Sequence, residues 1–194
     1  MEKFYLEEAN LERKREAIEY VLEHNKYNSN MAGSSGLDDE YLCYEKWISK
    51  VESQKDEKTS PSSRCVGIQY FLIREDDNKI VGMINLRWNL DDWMLIHGGH
   101  IGYGVRPTER RKGYNKIGLY LCLLKAQKLQ LDKVLITAFD DNIGSIKTIE
   151  ALGGVLENKI EVEGKDYLKG RYWIDVEESI KKYKEEYEKY INIE

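Results

Sequence analysis

Proline is nearly missing from the chain: only Pro61 and Pro107 occur in 194 residues. Histidine and cysteine are scarce too, at three residues each. Cys43, Cys65 and Cys122 are odd in number and far apart, which excludes a disulfide frame and the paired spacing of a zinc site, and predicts a protein of the reducing cytoplasm. Cys122 falls in an apolar helical run and is expected in the core. No apolar run approaches the ~20 residues of a membrane span. The start, Met1-Glu2-Lys3-Phe4, lacks a signal-peptide pattern. Positive charge is in deficit, with 30 Lys and Arg against 35 Asp and Glu, a net charge of -5. A nucleic-acid partner, which needs a positive surface, is therefore not expected. Nor is a bound metal, and the chain has no internal repeat. The length suits one folded unit with a core of useful size.

Against this background one stretch stands out, Gly98 to Lys116. Ile101, Tyr103 and Val105 alternate with small residues and predict a strand. Pro107 ends it, having no N–H for a ladder. The basic turn Arg110-Arg111-Lys112-Gly113 follows. From Tyr114 the period becomes helical, through Ile117, Tyr120, Leu121 and Leu124. A strand that passes through a basic, glycine-containing turn into a helix start is an anion site: the first helical N–H groups have no internal partner, and the helix dipole adds partial positive charge. Gly113 lets a phosphate approach the main chain closely. Because the chain as a whole is acidic, the positive charge is local and suits one anionic ligand.

The run Arg110-Arg111-Lys112-Gly113-Tyr114-Asn115 resembles the acyl-CoA pyrophosphate loop of the GNAT (Gcn5-related) N-acetyltransferases. That pattern is Arg or Gln, two residues, Gly, one residue, then Gly or Ala; Asn115 departs from it. The resemblance continues in Asp141-Asn142-Ile143-Gly144-Ser145 and Ile149-Glu150-Ala151-Leu152-Gly153-Gly154, and spans about Cys65 to Asp175. It implies an α/β (α+β) GNAT fold, a mixed, mostly antiparallel central sheet with helices on both faces. It implies acetyl-CoA as co-substrate and a primary amine of a small molecule or protein as acceptor. By resemblance, the main chain of Tyr103, Gly104 and Val105 pairs with the pantetheine arm, and Asn142, with Ser145 beside it, contacts the same arm. Asn142 equally fits a helix cap. Gly102 and Gly104 are expected to mark a bulge or splayed edge.

His100 stands on the central strand, where many relatives carry a Glu that acts as general base. A histidine with a reference pKa of about 6.5 can take that role; the alternative is a structural histidine. Asp91, Asp92 and Glu150 are further candidates. Ile149 occupies the position at which many relatives carry a tyrosine that protonates the leaving thiolate. This departure, with Asn115, leaves a second function open: a non-catalytic acyl-CoA-binding or sensing module.

The remaining elements follow from periodicity and turn residues. A first strand is expected at Phe4–Leu6. A helix is expected at about Glu8–Glu23 with Leu11, Ile18, Val21 and Leu22 on its apolar face. Asn25–Gly36 reads as a mobile loop. Asp38 should cap a second helix, Asp39–Glu52, and a loop should run from Ser53 to Arg64. Cys65–Arg74 and Ile80–Trp88 predict a hairpin. Asn89–His97 forms a long connection, and with Tyr27–Gly36 it is expected to choose the acceptor; Asp91 and Asp92 hint at a cationic one. Lys133–Phe139 predicts a strand parallel to the central one. The helix Ile143–Leu152 and strands Val155–Val162 and Tyr167–Val176 follow. The end, about 177–194, is expected as an added helix on a single domain 1–194. Its stripe Ile180, Tyr183, Tyr187 and Tyr190 either covers the chain's own sheet or makes a homodimer contact.

Overall fold

The computed structural model describes residues 1–60 and 65–191. The predicted loop Ser53–Arg64 therefore falls in part, and the last three residues of the tail wholly, outside the described residues. Seven strands form two sheets. The first has the order β1-β2-β3-β4, with β1 Phe4–Glu8, β2 Val66–Arg74, β3 Lys79–Trp88 and β4 Ile101–Val105. The second has the order β5-β7-β6, with β5 Lys133–Phe139, β6 Val155–Ile160 and β7 Lys169–Asp175. Every ladder is antiparallel.

The expected parallel ladder between β4 and β5 is not formed. The two sheets touch at one bridge, Gly99 to Ile136, reinforced by His100 N–H donating to the Leu135 carbonyl at 2.7 Å. Gly99 makes this contact: a Cβ there would lie 2.5 Å from the Leu135 oxygen. Each sheet carries its own twist, so strands that meet at one point diverge beyond it. The edge of β4 from Ile101 to Val105 is left without a ladder partner on the β5 side.

Helices cover both faces. On one side, α4 (Tyr114–Lys128), α5 (Ile143–Ala151) and α6 (Val176–Tyr187) share a core with Leu72, Ile84, Ile101 and Tyr103. Gly118 permits close seating of α4, since a Cβ would meet Ile84 at 2.8 Å. Cys122 is buried there, as expected. On the other side, α1 (Lys14–Lys26), α2 (Leu37–Glu40) and α3 (Tyr44–Ser53) pack on Phe71, Ile73, Ile80 and Met83.

Helix α1 starts later than expected. The chain stays extended to Ala9, whose N–H reaches the Gln69 carbonyl, and the Asn10 side chain then accepts the Arg13 N–H. This shifts the buried stripe to Ala17, Tyr20, Val21 and His24; Leu11 and Leu22 are exposed. Asp38 is not a cap. It lies inside α2, where its carboxylate accepts the Ser34 hydroxyl.

The tail packs on its own chain. Asp175 caps α6 by accepting the Glu178 N–H. Tyr187 is buried and stacks on Tyr120 of α4 at 5.3 Å between ring centroids. Ile191 bridges Phe4 of β1.

Candidate active site

A cavity of about 990 Å³ lies where β4 and β5 separate. Ile101 to Val105 form one wall, Ile136 to Phe139 another, and the start of α4 closes one end. Of the binding residues expected from sequence, all but Lys112 line it. Tyr103 turns its side chain away from solvent and bonds α5, its hydroxyl 3.0 Å from Ser145 Oγ. That contact holds the start of α5 opposite β4. Asn142 takes the capping role, its Oδ1 accepting the Ser145 N–H at 3.1 Å.

The turn from β4 into α4 is held by charge pairs on both flanks. Arg106 is buried, with Nε on the Ile80 carbonyl at 3.0 Å and Nη1 on Glu23 at 3.1 Å. Glu23 also accepts the Thr108 N–H and hydroxyl. Glu109 is buried and pairs with Arg74, Lys79 and Lys112. Burial opposes its ionisation, but hydrogen bonds from Lys112, Lys79 and Arg74 outweigh this and hold its pKa at about 2. Lys112 is therefore not free for a ligand; it is turned to Glu109 at 2.7 Å. Arg111 and Gly113 both have positive φ, +65° and +86°, in a turn whose successive N–H groups can face one concavity. The first N–H groups of α4, at Tyr114 and Asn115, have no carbonyl within the helix. The Tyr114 ring packs on Phe4 instead of facing the cavity, so only its main chain is offered.

The segment between α1 and α2 crosses the face of β4. Arg110 reaches it at Ser29 Oγ. A Cβ on Gly104 would lie 2.7 Å from the Ala32 oxygen, and one on Gly33 would lie 2.6 Å from the Gly102 oxygen. The paired glycines thus serve close crossing of two backbones. They mark no bulge: the β3–β4 register runs unbroken from Leu86 opposite Ile101 to Gly82 opposite Val105. The expected mobile loop is pinned, with Gly33 O accepting Gln69 Nε2 at 2.7 Å and Ser34 O accepting Trp47 Nε1 at 3.1 Å.

The acetyltransferase (GNAT) family model matches residues 35–153. The chain belongs to this family. It is 30% identical over 98 residues to an uncharacterized N-acetyltransferase, YjdG, of Bacillus subtilis; the match covers 46% of this chain and 52% of that protein, so the chain spans about half the length of this relative. Among solved structures, the spermidine/spermine N-acetyltransferase SpeG of Vibrio cholerae superposes with a TM-score of 0.63 at 14% identity, over 93% of this chain and 98% of its own. YncA of Salmonella typhimurium, solved with acetyl-CoA, superposes with a TM-score of 0.56 at 12% identity, over 89% and 94% of the two chains. The neighbours share the GNAT fold; that family's acetyltransferases use acetyl-CoA.

Within this GNAT fold the groups expected to move protons do not line the cavity. His100 does not line the cavity. Its Nδ1 accepts the Leu135 N–H at 2.9 Å, which leaves the ring proton of the neutral form on Nε2. Burial, then the nearby Arg87 charge, push its pKa down to about 4. With Nδ1 accepting from Leu135 and its main-chain N–H donating to the Leu135 carbonyl, His100 joins the two sheets. Asp91 accepts the Met94 N–H at the start of a π-helical turn, Met94–Gly98. Glu150 lines a separate groove with Gly153 and Tyr183, and Asp92 lines neither cavity. Ile149 is fully buried in the core.

Sequence reasoning missed three features. The Ala32–Gly33 crossing could have been suspected from glycines at 33, 102 and 104. Lys169 had no sequence signal: it lines the cavity, donates to the His97 carbonyl at 3.1 Å and lies over Phe139, and burial pushes its pKa down. Arg87 looked like an ordinary strand residue. No helix of the described residues is long and apolar enough to cross a membrane.

Proposed function

We propose that the chain is an acetyl-CoA-dependent N-acetyltransferase that moves an acetyl group to a primary amine by direct attack on the thioester, within one domain to which α6 is an addition. The observation that carries this is the joining, in one cavity, of a basic helix start to an unpaired strand edge. Arg110, Arg111 and the main chain of Gly113, Tyr114 and Asn115 would hold the pyrophosphate. The free edge of β4 at Tyr103, Gly104 and Val105 suits the amides of a pantetheine arm, as a strand edge suits a peptide. Asn142 and Ser145 flank that path from α5. Acetyl-CoA supplies an activated acyl group at the strand end of the cavity. A β4 N–H there would meet the negative charge that builds on the carbonyl oxygen.

The cavity's one described carboxylate, Glu109, is locked in ion pairs. Glu109 therefore takes no proton from the acceptor, and catalysis rests on positioning. The free thiols of Cys43, Cys65 and Cys122 support a cytoplasmic setting. Within the stripe of α6, Tyr187 is buried against Tyr120 of α4, while Ile180, Tyr183 and Tyr190 are partly exposed.

A second function is favoured by buried Ile149 and the occupied His100: a module that binds acyl-CoA without turnover. Release of free thiol from acetyl-CoA with a panel of primary amines separates the two. Turnover above the amine-free rate supports the enzyme. Tight CoA binding with no turnover for any amine overturns it.

A further inference from the structure

On the face of the first sheet that carries α1 to α3, Arg87 stands on β3 beside His100. Its ladder partner on β2 is Gly67, and a Cβ on Gly67 would lie 3.0 Å from Arg87 Cγ. On the other flank, Arg87 Nη2 lies 3.4 Å from the position of a Cβ on Gly102. Glycines on both neighbouring strands thus leave a trough for the Arg87 side chain. Gly33 closes its far side, 3.5 Å from that same position. Gly102 is also a wall of the cavity, next to the joint of β4 and β5.

The guanidinium lacks a counter-charge. Its Nε is buried without a hydrogen-bond partner, and no carboxylate pairs with it among the described residues. Burial lowers its pKa, with only the thiols of Cys65 and Cys122 opposing. A guanidinium whose Nε is shut off from water and unpaired is costly to the fold, while a carboxylate pairs well with its planar N–H groups. The surroundings add positive potential: beyond Gly102, Lys169 lines the cavity, whose one described acid, Glu109, is neutralised by Arg74, Lys79 and Lys112. A second bare cation, such as a polyamine, is repelled here. An acceptor that brings its own negative charge is not.

We propose that Arg87 and the glycine trough form the carboxylate subsite for the acceptor, so that the preferred substrates are primary amines carrying a carboxylate, of amino-acid type. This rests on the acetyltransferase function above and names its substrate class. It replaces the cationic acceptor suggested by Asp91 and Asp92, of which Asp91 is spent on the Met94 N–H.

The test measures thiol release from acetyl-CoA with matched pairs: methionine against 3-(methylthio)propylamine, and lysine against cadaverine, with spermidine as the cationic extreme. The wild type should favour the carboxylate member at least about tenfold in kcat/KM. Arg87→Gln should abolish that preference by raising KM for the carboxylate member, while KM for acetyl-CoA stays within about twofold. Its melting temperature without ligands should hold or rise, because an unpaired, partly buried charge is removed. A preference for the decarboxylated member or spermidine overturns the proposal. So does a preference that survives Arg87→Gln, or a ligand-free melting temperature that falls with both KM values raised. If no amine in any pair releases thiol, the acetyltransferase function fails instead. Arg87 is then judged by melting with acetyl-CoA present: a larger upward shift by methionine than by its amine partner, lost in Arg87→Gln, upholds the subsite, and equal shifts overturn it.

Discussion

His100 and Leu135 bond each other twice: the His100 N–H donates to the Leu135 carbonyl at 2.7 Å, and the Leu135 N–H donates to His100 Nδ1 at 2.9 Å. These two bonds fasten the sheets at the point from which β4 and β5 separate. A residue placed for proton transfer by its strand is thus used to hold the cavity's apex.

His100→Ala should behave as a lesion of the fold. Removing the acceptor leaves the Leu135 N–H without its partner, a cost of about 1–3 kcal/mol. Denaturant unfolding should show that loss, and acetyl-CoA affinity and rate should fall together. The pH dependence has a definite sign. The folded pKa of about 4 lies below the reference of 6.5, so the unfolded chain takes up the proton first. This contribution is lost as pH falls from about 6.5 towards 4 and is constant below. Melting curves of wild type minus His100→Asn across that range should show the slope; a flat difference would return the histidine to the candidate bases.

Arg110 and Lys112 should separate cleanly. Arg110→Ala removes a cavity-lining guanidinium and should weaken CoA binding by about 10- to 100-fold, the range of one or two charge-assisted bonds. Lys112→Ala removes a lysine turned to Glu109 and should leave affinity within about twofold. Calorimetry with CoA decides, and equal losses in both variants would show that the turn rearranges around the ligand.

The rate should follow the acceptor's own titration. Because the lining carboxylate Glu109 stays ionised and paired, with a pKa of about 2, it is no base near neutrality, and burial lowers the pKa of the lining His24. With a saturating acetyl donor, log kcat/KM should rise about one unit per pH unit up to the acceptor's pKa. A plateau near pH 7 that is the same for two amines of different pKa would reveal an enzyme base.

Tyr187→Ala should destabilise the fold by about 3 kcal/mol or more, the scale of emptying a buried aromatic site. The phenol ring is 3% exposed and stacked on Tyr120. Light scattering should show an unchanged solution mass, because the stripe serves its own chain. A change of mass would point to a subunit contact.

The basic turn from β4 into α4 was legible because its determinants are local. A strand ended by proline, a glycine at positive φ and a helix start within Val105 to Asn115 place N–H groups and arginines together whatever the rest of the chain does. Hairpin β2–β3, buried β5 and capped α5 were legible for the same reason, since their periodicity and turn residues act over a few positions. Lys112, His100 and Arg87 were not legible. Whether a charged or titratable side chain is free depends on partners far along the chain: Arg74 and Lys79 draw Glu109 and with it Lys112, Leu135 occupies His100, and no carboxylate among the described residues pairs with Arg87. The separation of the sheets and the crossing of Ala32–Gly33 over Gly102–Gly104 belong to the same class. By itself, then, the sequence determined the family, the basic turn into a helix start and most elements. Tertiary structure alone decided which charges are spent and which stay available, because burial and pairing are properties of the packed chain.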